Sequence, residues 1–483
     1  MSALKAADSA DRSPDRGFLA STIARRSPFF PSDDVRDWLA SRERAHRFST
    51  RQIPFAELEA WDFDPRTGNL GHASGRFFTV EGVAVSTDYP QPAAYSQPIV
   101  NQPDIGILGI LAKRFGGVLH FLMQAKMEAG NISPVQLSPT VQATKSNYTQ
   151  VHRGRRPPYL DFFLDRSRGR ILVDQLQSEQ GSFFLRKRNR NMIVETAENV
   201  PVLEDFRWMT LGEIKLMLGF DNLVNMDTRT VVSSIPLISS AQEADACGLD
   251  QARLGPFERS LLASTLHTDS GLLTNGEVMS WFTDLKSSAE IDVRSAPLAG
   301  LPGWGKDEMS IFREDRAFFS VIAVAVEADN REVPRWSQPI VRPEAMGTTA
   351  FVTRKFGGVL HFLVQARMEP GVFDMFEMAP TVQHLPGSAG IGSADVSPPF
   401  LELVANAPRE LVRHQSIQSE EGGRFYHYRN RNVIVEMQDG QDPELPRGYI
   451  WMTLGQINEF LRYNNYFNIE ARGLLACLGL NVA

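Results

Sequence analysis

Two cysteines in 483 residues, Cys247 and Cys477, leave nothing for a disulfide framework or a Cys-rich metal site, and they fit a reducing cytoplasm. No run approaches the eighteen or more apolar residues of a membrane span. The opening MSALKAADSADRSPDRG lacks the continuous apolar core of a signal peptide, so no secretory leader is expected. Excess basic charge is missing too. With a net charge of −7 the chain is not expected to partner nucleic acid or a membrane surface, and an anionic ligand must be held by a local basic cluster. HExxH, GxxxxGK[ST] and a convincing GxGxxG after a strand are absent, so neither a metal nor another cofactor is expected.

What is present is a repeat. FGGVLHFLMQAKME at residues 115–128 returns as FGGVLHFLVQARME at 356–369, identical in twelve of fourteen positions and 241 residues further on. QSEQGSFFLRKRNRN at 177–191 matches QSEEGGRFYHYRNRN at 418–432 in nine of fifteen positions at the same offset, and WMTLGEI from Trp208 recurs as WMTLGQI from Trp451. A period of this length means duplicated domains rather than a solenoid. The reading is a mobile segment at 1–30, a first repeat at 31–236, a linker at 237–270 that matches nothing in the first repeat, and a second repeat at 271–483.

Within the first repeat, Ser32 is the expected N-cap of a helix beginning DDVRDWLASRERAH. Segments rich in Val, Ile, Leu and Phe, bounded by Gly, Pro or Asn, predict strands at 76–85, 105–115, 117–127, 135–144, 170–178 and 191–195. Thr210 caps a short helix, and a second follows near 227–235. Each unit is therefore α+β around a largely antiparallel sheet flanked by helices.

Side chains alternate along a strand. One face of residues 119–128 then carries Gln124, Lys126 and Glu128, and the following strand adds Gln136, Ser138, Thr140, Gln142 and Thr144. A solvent-facing sheet surface would carry charges; the amides and hydroxyls of 136–144 suggest a hydrogen-bonding cavity wall instead. The wall runs into Lys145, Ser146, Asn147 and Tyr148, then His152 and Arg153. Here the second repeat departs, with Ala379 for Ser138, Leu385 for Thr144 and PGSAGIGS-type sequence for KSNYTQVHRG. The basic run RKRNRN offers Arg186, Lys187, Arg188, Asn189 and Arg190, whose forks suit phosphate oxygens; a solvated structural stripe is the alternative. Its second copy keeps Arg429, Asn430 and Arg431 but has His427 and Tyr428 for Arg186 and Lys187. The first repeat is thus the expected working domain, and the second the degenerate one. His120 and His361 recur at equivalent strand positions and read as structural histidines rather than ligands.

The stretches at 74–78, 96–131, 136–148, 152–154, 177–191 and 222–231 resemble the NDP-hexose 2,3-dehydratase family across nearly the whole chain. The resemblance implies a pair of tandem Nudix-like domains and a homodimer. It also implies elimination of water from dTDP-4-keto-6-deoxy-D-glucose, giving a 3,4-diketo-2,6-dideoxy sugar nucleotide for deoxysugar and antibiotic biosynthesis. An NADPH-dependent 3-ketoreductase would act next. The Glu-rich magnesium helix of Nudix hydrolases is absent, so pyrophosphate hydrolysis and a catalytic metal are not implied. On this reading Glu128 or His152 is the base, Lys126 faces the enolate, and Tyr148 is acid or orienting hydroxyl. Lys187, Arg188 and Arg190 take the diphosphate, with Asn189 and Arg153 beside them. Trp61, Arg76 or Tyr148 lie near the base or sugar, and Gln124, Gln136, Ser138, Thr140, Gln142, Thr144, Ser146, Asn147 and Gln177 supply further polar contacts. Two other readings are a non-catalytic sugar-nucleotide-binding protein and a metal-dependent diphosphate hydrolase.

Overall fold

The computed structural model describes residues 17–29, 34–145, 156–266, 271–388, 397–438, 440 and 443–480. Each repeat is built on a seven-stranded mixed sheet. In the first, the order is Arg170–Ser178, Arg188–Glu195, Gly106–Phe115, Val118–Met127 and Phe206–Met209, with Val135–Ser138 and Val141–Ala143 extending the two middle strands. The second repeat copies this order with Val412–Ser419, Arg429–Glu436, Gly347–Phe356, Val359–Met368 and Tyr449–Thr453. The shared FGG forms the central hairpin: Gly116 and Gly117 have φ of 56° and 80°, and Gly357 and Gly358 have 58° and 84°. Two successive positive φ values make a tight turn whose twist matches the flanking strands, and glycine adopts them without strain. The recurring WMTLG reaches the same end twice, since Thr210 and Thr453 each close a capping box, with Glu213 and Gln456.

The sheet is largely antiparallel, with one parallel pair, Arg188–Glu195 beside Gly106–Phe115. Three other expectations are corrected. Residues 135–144 are two strands, one pairing with Val118–Met127 and the other with Gly106–Phe115. The break falls at Pro139 and Thr140, where the Thr140 hydroxyl bonds the Leu122 carbonyl and accepts from the Leu111 amide at 2.8 Å. Helix Val35–Ala45 is capped by Asp34, whose carboxylate accepts from the Arg36 amide; Ser32 lies outside the described residues. Finally, the expected mobile segment and the expected linker each contribute a packed helix, Leu19–Ile23 and Pro256–Leu266. Ser21 accepts from the Leu211 amide and Ser264 from the Leu454 amide, so the duplication extends into segments whose sequences no longer match.

The halves are interleaved. Phe48–Ile53 of the first repeat pairs antiparallel with Phe319–Ala328 of the second, and Ile291–Ala296 of the second pairs with Thr79–Thr87 of the first. Each smaller sheet thus takes a strand from the other repeat, which covers an edge that would otherwise present unpaired backbone groups. The turns after the QSE motifs cross in the same reciprocal way. The Gly130 amide donates to Gly422 O at 2.7 Å, and the Gly371 amide to Gly181 O at 2.8 Å. A Cβ on Gly130 would stand 1.6 Å from Phe425 O, and one on Gly371 1.7 Å from Phe184 O, so no side chain fits at either crossing. Beside them, Arg229 donates to Ser419 O and Arg472 to Ser178 O, each arginine 1% exposed. Among the described residues no helix is long and apolar enough to cross a membrane.

The interleaving predicts that residues 17–236 produced alone will not unfold cooperatively, and that adding the other half in trans will restore a transition. A sharp urea transition for the isolated half would show that it needs no exchanged strand. Gly130→Ala is expected to cost about 1–3 kcal/mol or more, because backbone must part to admit the methyl; an unchanged urea midpoint would show that the crossing yields freely.

Candidate active site

A cavity of about 440 Å³ lies where the first repeat's large sheet meets strand Arg335–Pro343 and the 421–424 turn of the second. This is within the size range of small-molecule sites. Its floor comes from the sequence-predicted strands. Lys126 and Glu128, two apart and so on one face, form a buried ion pair at 3.2 Å, and Gln142 Nε2 donates to Glu128 Oε1 at 3.0 Å. Thr144, Lys187 and Asn189 line the same cavity. Lys187 Nζ is held by the Asp104 carbonyl and carboxylate, and Asn189 Nδ2 donates to Glu179 Oε1 at 2.5 Å.

One end is aromatic. Trp61 packs edge-on to His72 at 5.3 Å, and His72 meets Phe77 at 4.5 Å. The Trp61 indole donates to Ser337 O across the repeats at 3.1 Å. Arg76 and Trp336 also line the cavity. The other end is acidic and largely buried. Glu179 is buried, and burial first, then the neighbouring Glu421 carboxylate, pushes its pKa up to about 7. Asp227 sits well above the usual carboxylate range, through burial and then through Glu421, Glu179 and Glu128. Burial raises Glu421 as well, against the pull of Arg424. Glu128 Oε2, Glu179 Oε2 and Asp227 Oδ2 are buried without a hydrogen-bond partner. Among the described residues no group of His, Cys, Asp and Glu has the arrangement of a metal site.

Of the residues singled out in the sequence, Trp61, Arg76, Lys126, Glu128, Gln142, Thr144, Lys187 and Asn189 meet in this cavity. Others do not line it. Gln136 lies on the predicted face, opposite Lys126, but its amide spans to Asn222 O and Ser419 Oγ, so the second repeat covers that part of the wall. Gln177 donates to Leu461 O in the same manner. Gln124 is half-buried opposite Ser138, whose hydroxyl is buried without a partner, and Thr140 closes the turn described above. The basic run divides along its strand. Arg188 stacks over Phe373 at 4.1 Å and Arg190 is paired with Asp174 at 2.6 Å, leaving Lys187 and Asn189 as the members of the run in the cavity. Ser146, Asn147, Tyr148, His152 and Arg153 lie outside the described residues. His120 and His361 bond the carbonyls of Val118 and Val359, in keeping with structural roles.

Sequence reasoning missed Asp104, Glu179 and Asp227 of the first repeat, and Arg331, Trp336, Glu421 and Arg424 of the second. The last four reach the cavity only through the exchanged architecture, though the change from Gln180 to Glu421 between the copies was visible. The equivalent positions around the second sheet line a void of about 20 Å³, room for about one water. Phe183 stands where Arg424 does in the first cavity, and Tyr428 where Lys187 does; their rings lie 5.8 Å apart.

The sequence profile described as NDP-hexose 2,3-dehydratase matches residues 32–235 and again 275–478. A protein of Saccharopolyspora spinosa named dTDP-4-dehydro-6-deoxy-alpha-D-glucopyranose 2,3-dehydratase is 47% identical over 464 residues, covering 96% of this chain and 94% of the relative. Proteins of the same name from Amycolatopsis orientalis and Streptomyces violaceoruber are each 44% identical, covering 94% and 91% of this chain and 91% and 95% of their own.

The raised pKa of Glu179 gives a stability test. An unfolded Glu titrates near ~4.3, whereas the folded chain holds this proton to about 7. Tighter proton binding by the folded state stabilises it fully below the unfolded pKa and is lost as pH rises through the folded one. Glu179→Gln should therefore flatten the fall in unfolding midpoint between about pH 4 and pH 7. A variant whose profile parallels that of the wild type would contradict the assignment.

Proposed function

The chain belongs to the NDP-hexose 2,3-dehydratase family, and from that premise we propose that it removes water from dTDP-4-keto-6-deoxy-D-glucose. The observation that carries the reading is the cavity: a cation–carboxylate pair and further buried carboxyls at one end, aromatic rings at the other. The ketone at sugar carbon 4 acidifies the hydrogen on carbon 3. A base takes that proton, the enolate forms, and its electrons return to rebuild the ketone as the carbon 2 hydroxyl departs as water. The enol so formed tautomerises to the 3,4-diketo-2,6-dideoxy sugar. Oxidation and reduction balance within the sugar.

Glu128 is assigned as the base, with His152 as the alternative: its Oε2 is an uncommitted acceptor beside the cavity. Lys126 places a fixed positive charge where the enolate oxygen develops, in a site shielded from water. Tyr148 is assigned as acid or orienting hydroxyl. Lys187 with Arg76, and Arg331 and Arg424 from the second repeat, supply positive charge for the diphosphate. Trp61 and Trp336 offer faces to the nucleobase. The same reading takes the repeats as Nudix-like, the protein as a cytoplasmic homodimer, and a 3-ketoreductase as the enzyme that receives the reactive diketone.

Incubation with the 4-keto sugar nucleotide should release one water per substrate, read by mass spectrometry after trapping with a ketoreductase and NADPH. Substrate recovered intact would point to a binding protein, and release of TMP to a hydrolase. Lys126→Met should keep the fold and lower kcat by on the order of 10²-fold; Tyr148→Phe and His152→Ala should each lose about tenfold or more, on the order of 1.4 kcal/mol. Wild-type rates in these variants would remove the residues from the chemistry.

A further inference from the structure

The two cavities are built from equivalent residues, so their differences show what was altered at the first. In the second, Glu420 is satisfied at both oxygens, by Asn430 Nδ2 at 2.7 Å and by Gln180 Nε2 at 3.0 Å from the other repeat. Glu369, the counterpart of Glu128, accepts at Oε1 from Arg367 at 2.9 Å, from Gln383 at 3.0 Å and from the Ser182 hydroxyl at 2.8 Å. At the first cavity the position of Gln180 is held by Glu421 and that of Ser182 by Gly423. These changes withdraw the donors that would face Glu179 and Glu128, and replace one with a carboxyl. Glu179 keeps its asparagine, Asn189, while its Oε2 is left buried and unpartnered. A Cβ built on Gly423 would lie 2.5 Å from Glu421 Oε1 and 3.7 Å from Glu128 Oε1, so Glu421 and the assigned base face the same glycine.

We propose that Glu179 of the first repeat and Glu421 of the second form a proton-sharing carboxyl pair that protonates the departing carbon 2 hydroxyl. The proposal rests on the dehydratase reading and deepens it, leaving Tyr148 the orienting role. Two neighbouring carboxyls, Glu179 buried and Glu421 half-buried, cannot both ionise cheaply, so the pair retains a proton that a lone surface carboxylate would have lost. The groups facing it are Lys126 and Glu128 from the central hairpin, Lys187 from the basic run, Asp227 from helix Met226–Val232, Arg424 from its own turn and Arg472 from helix Ile469–Leu475. In the reaction Glu128 takes the carbon 3 proton, and that C–H pair becomes the enolate. As the ketone re-forms, the C2–O bond breaks toward oxygen, and oxygen takes the shared proton and leaves as water. The proton collected at Glu128 restores the pair, so each turnover consumes one substrate and yields one diketo sugar and one water.

Glu421→Gln rebuilds the amide–carboxylate contact that the second cavity already contains, so the variant should fold and bind dTDP like the wild type. Its water release should fall at least 100-fold, while exchange of the carbon 3 hydrogen with deuterium oxide, read by NMR, continues near the wild-type rate. Glu179→Gln should show the same split, and it serves if Glu421→Gln fails to fold. Water release at the wild-type rate in either folded variant, or parallel loss of exchange and elimination, would overturn the pair as proton donor. If the wild-type protein itself neither exchanges nor eliminates, the dehydratase reading fails instead.

Discussion

The structure depends on the reciprocal crossing of the two repeats at the glycines that follow their central hairpins. Gly130 and Gly371 each let backbone of the other half approach to a distance that a side chain would forbid. Arg229 and Arg472 then reach over to the opposite Ser419 and Ser178 carbonyls. A buried guanidinium without its acceptors would be costly, and here each half supplies acceptors to the other. The crossing and the exchanged edge strands make the two repeats one folding problem. They also place residues of the second repeat inside the cavity of the first.

Much of this was legible from residues alone. The FGG hairpin, the threonine-capped helices and the alternation that sets Lys126 and Glu128 on one face are local consequences of backbone geometry, and twelve matches in fourteen positions fix the duplication. The strand exchange was not legible. Phe48 pairs with Ala328, and nothing in either segment distinguishes pairing across repeats from pairing within one. The polar wall failed in an instructive way. Gln136 does share its face with Lys126, but alternation says only which face a side chain occupies, and the second repeat covers that part of it. The basic run failed for a similar reason: the strand divides its members between faces, and Asp174 and Phe373 engage two of them.

The asymmetry between the cavities follows from few changes. Tyr428 for Lys187, Leu385 for Thr144 and Ala317 for Arg76 remove polar groups around the second sheet, and Phe183 meets Phe318, Phe319, Phe425 and Tyr428 with ring centroids 5.1 to 5.8 Å apart. An aromatic cluster of this kind contributes burial and edge-to-face contacts that a polar hollow cannot. The second cavity is thus largely filled, although it keeps the counterpart carboxyls Glu369, Glu420 and Glu470.

That asymmetry bears on the idea of a worn second repeat. Judged by its own sheet, the second repeat encloses only a void of about 20 Å³; judged by its turn at 421–424 and its strand Arg335–Pro343, it furnishes part of the wall of the larger cavity. Because each cavity is completed by the opposite half, a substitution at Gln180 or Glu421 acts on the cavity of the other repeat. Reading each copy as a separate domain assigns such changes to the wrong site. The carboxyl of Glu421, in the repeat that looks degenerate, instead alters the proton inventory around Glu179 and Glu128. A duplicated pair that crosses in this way can specialise one cavity while the other solidifies, and neither half can then be discarded.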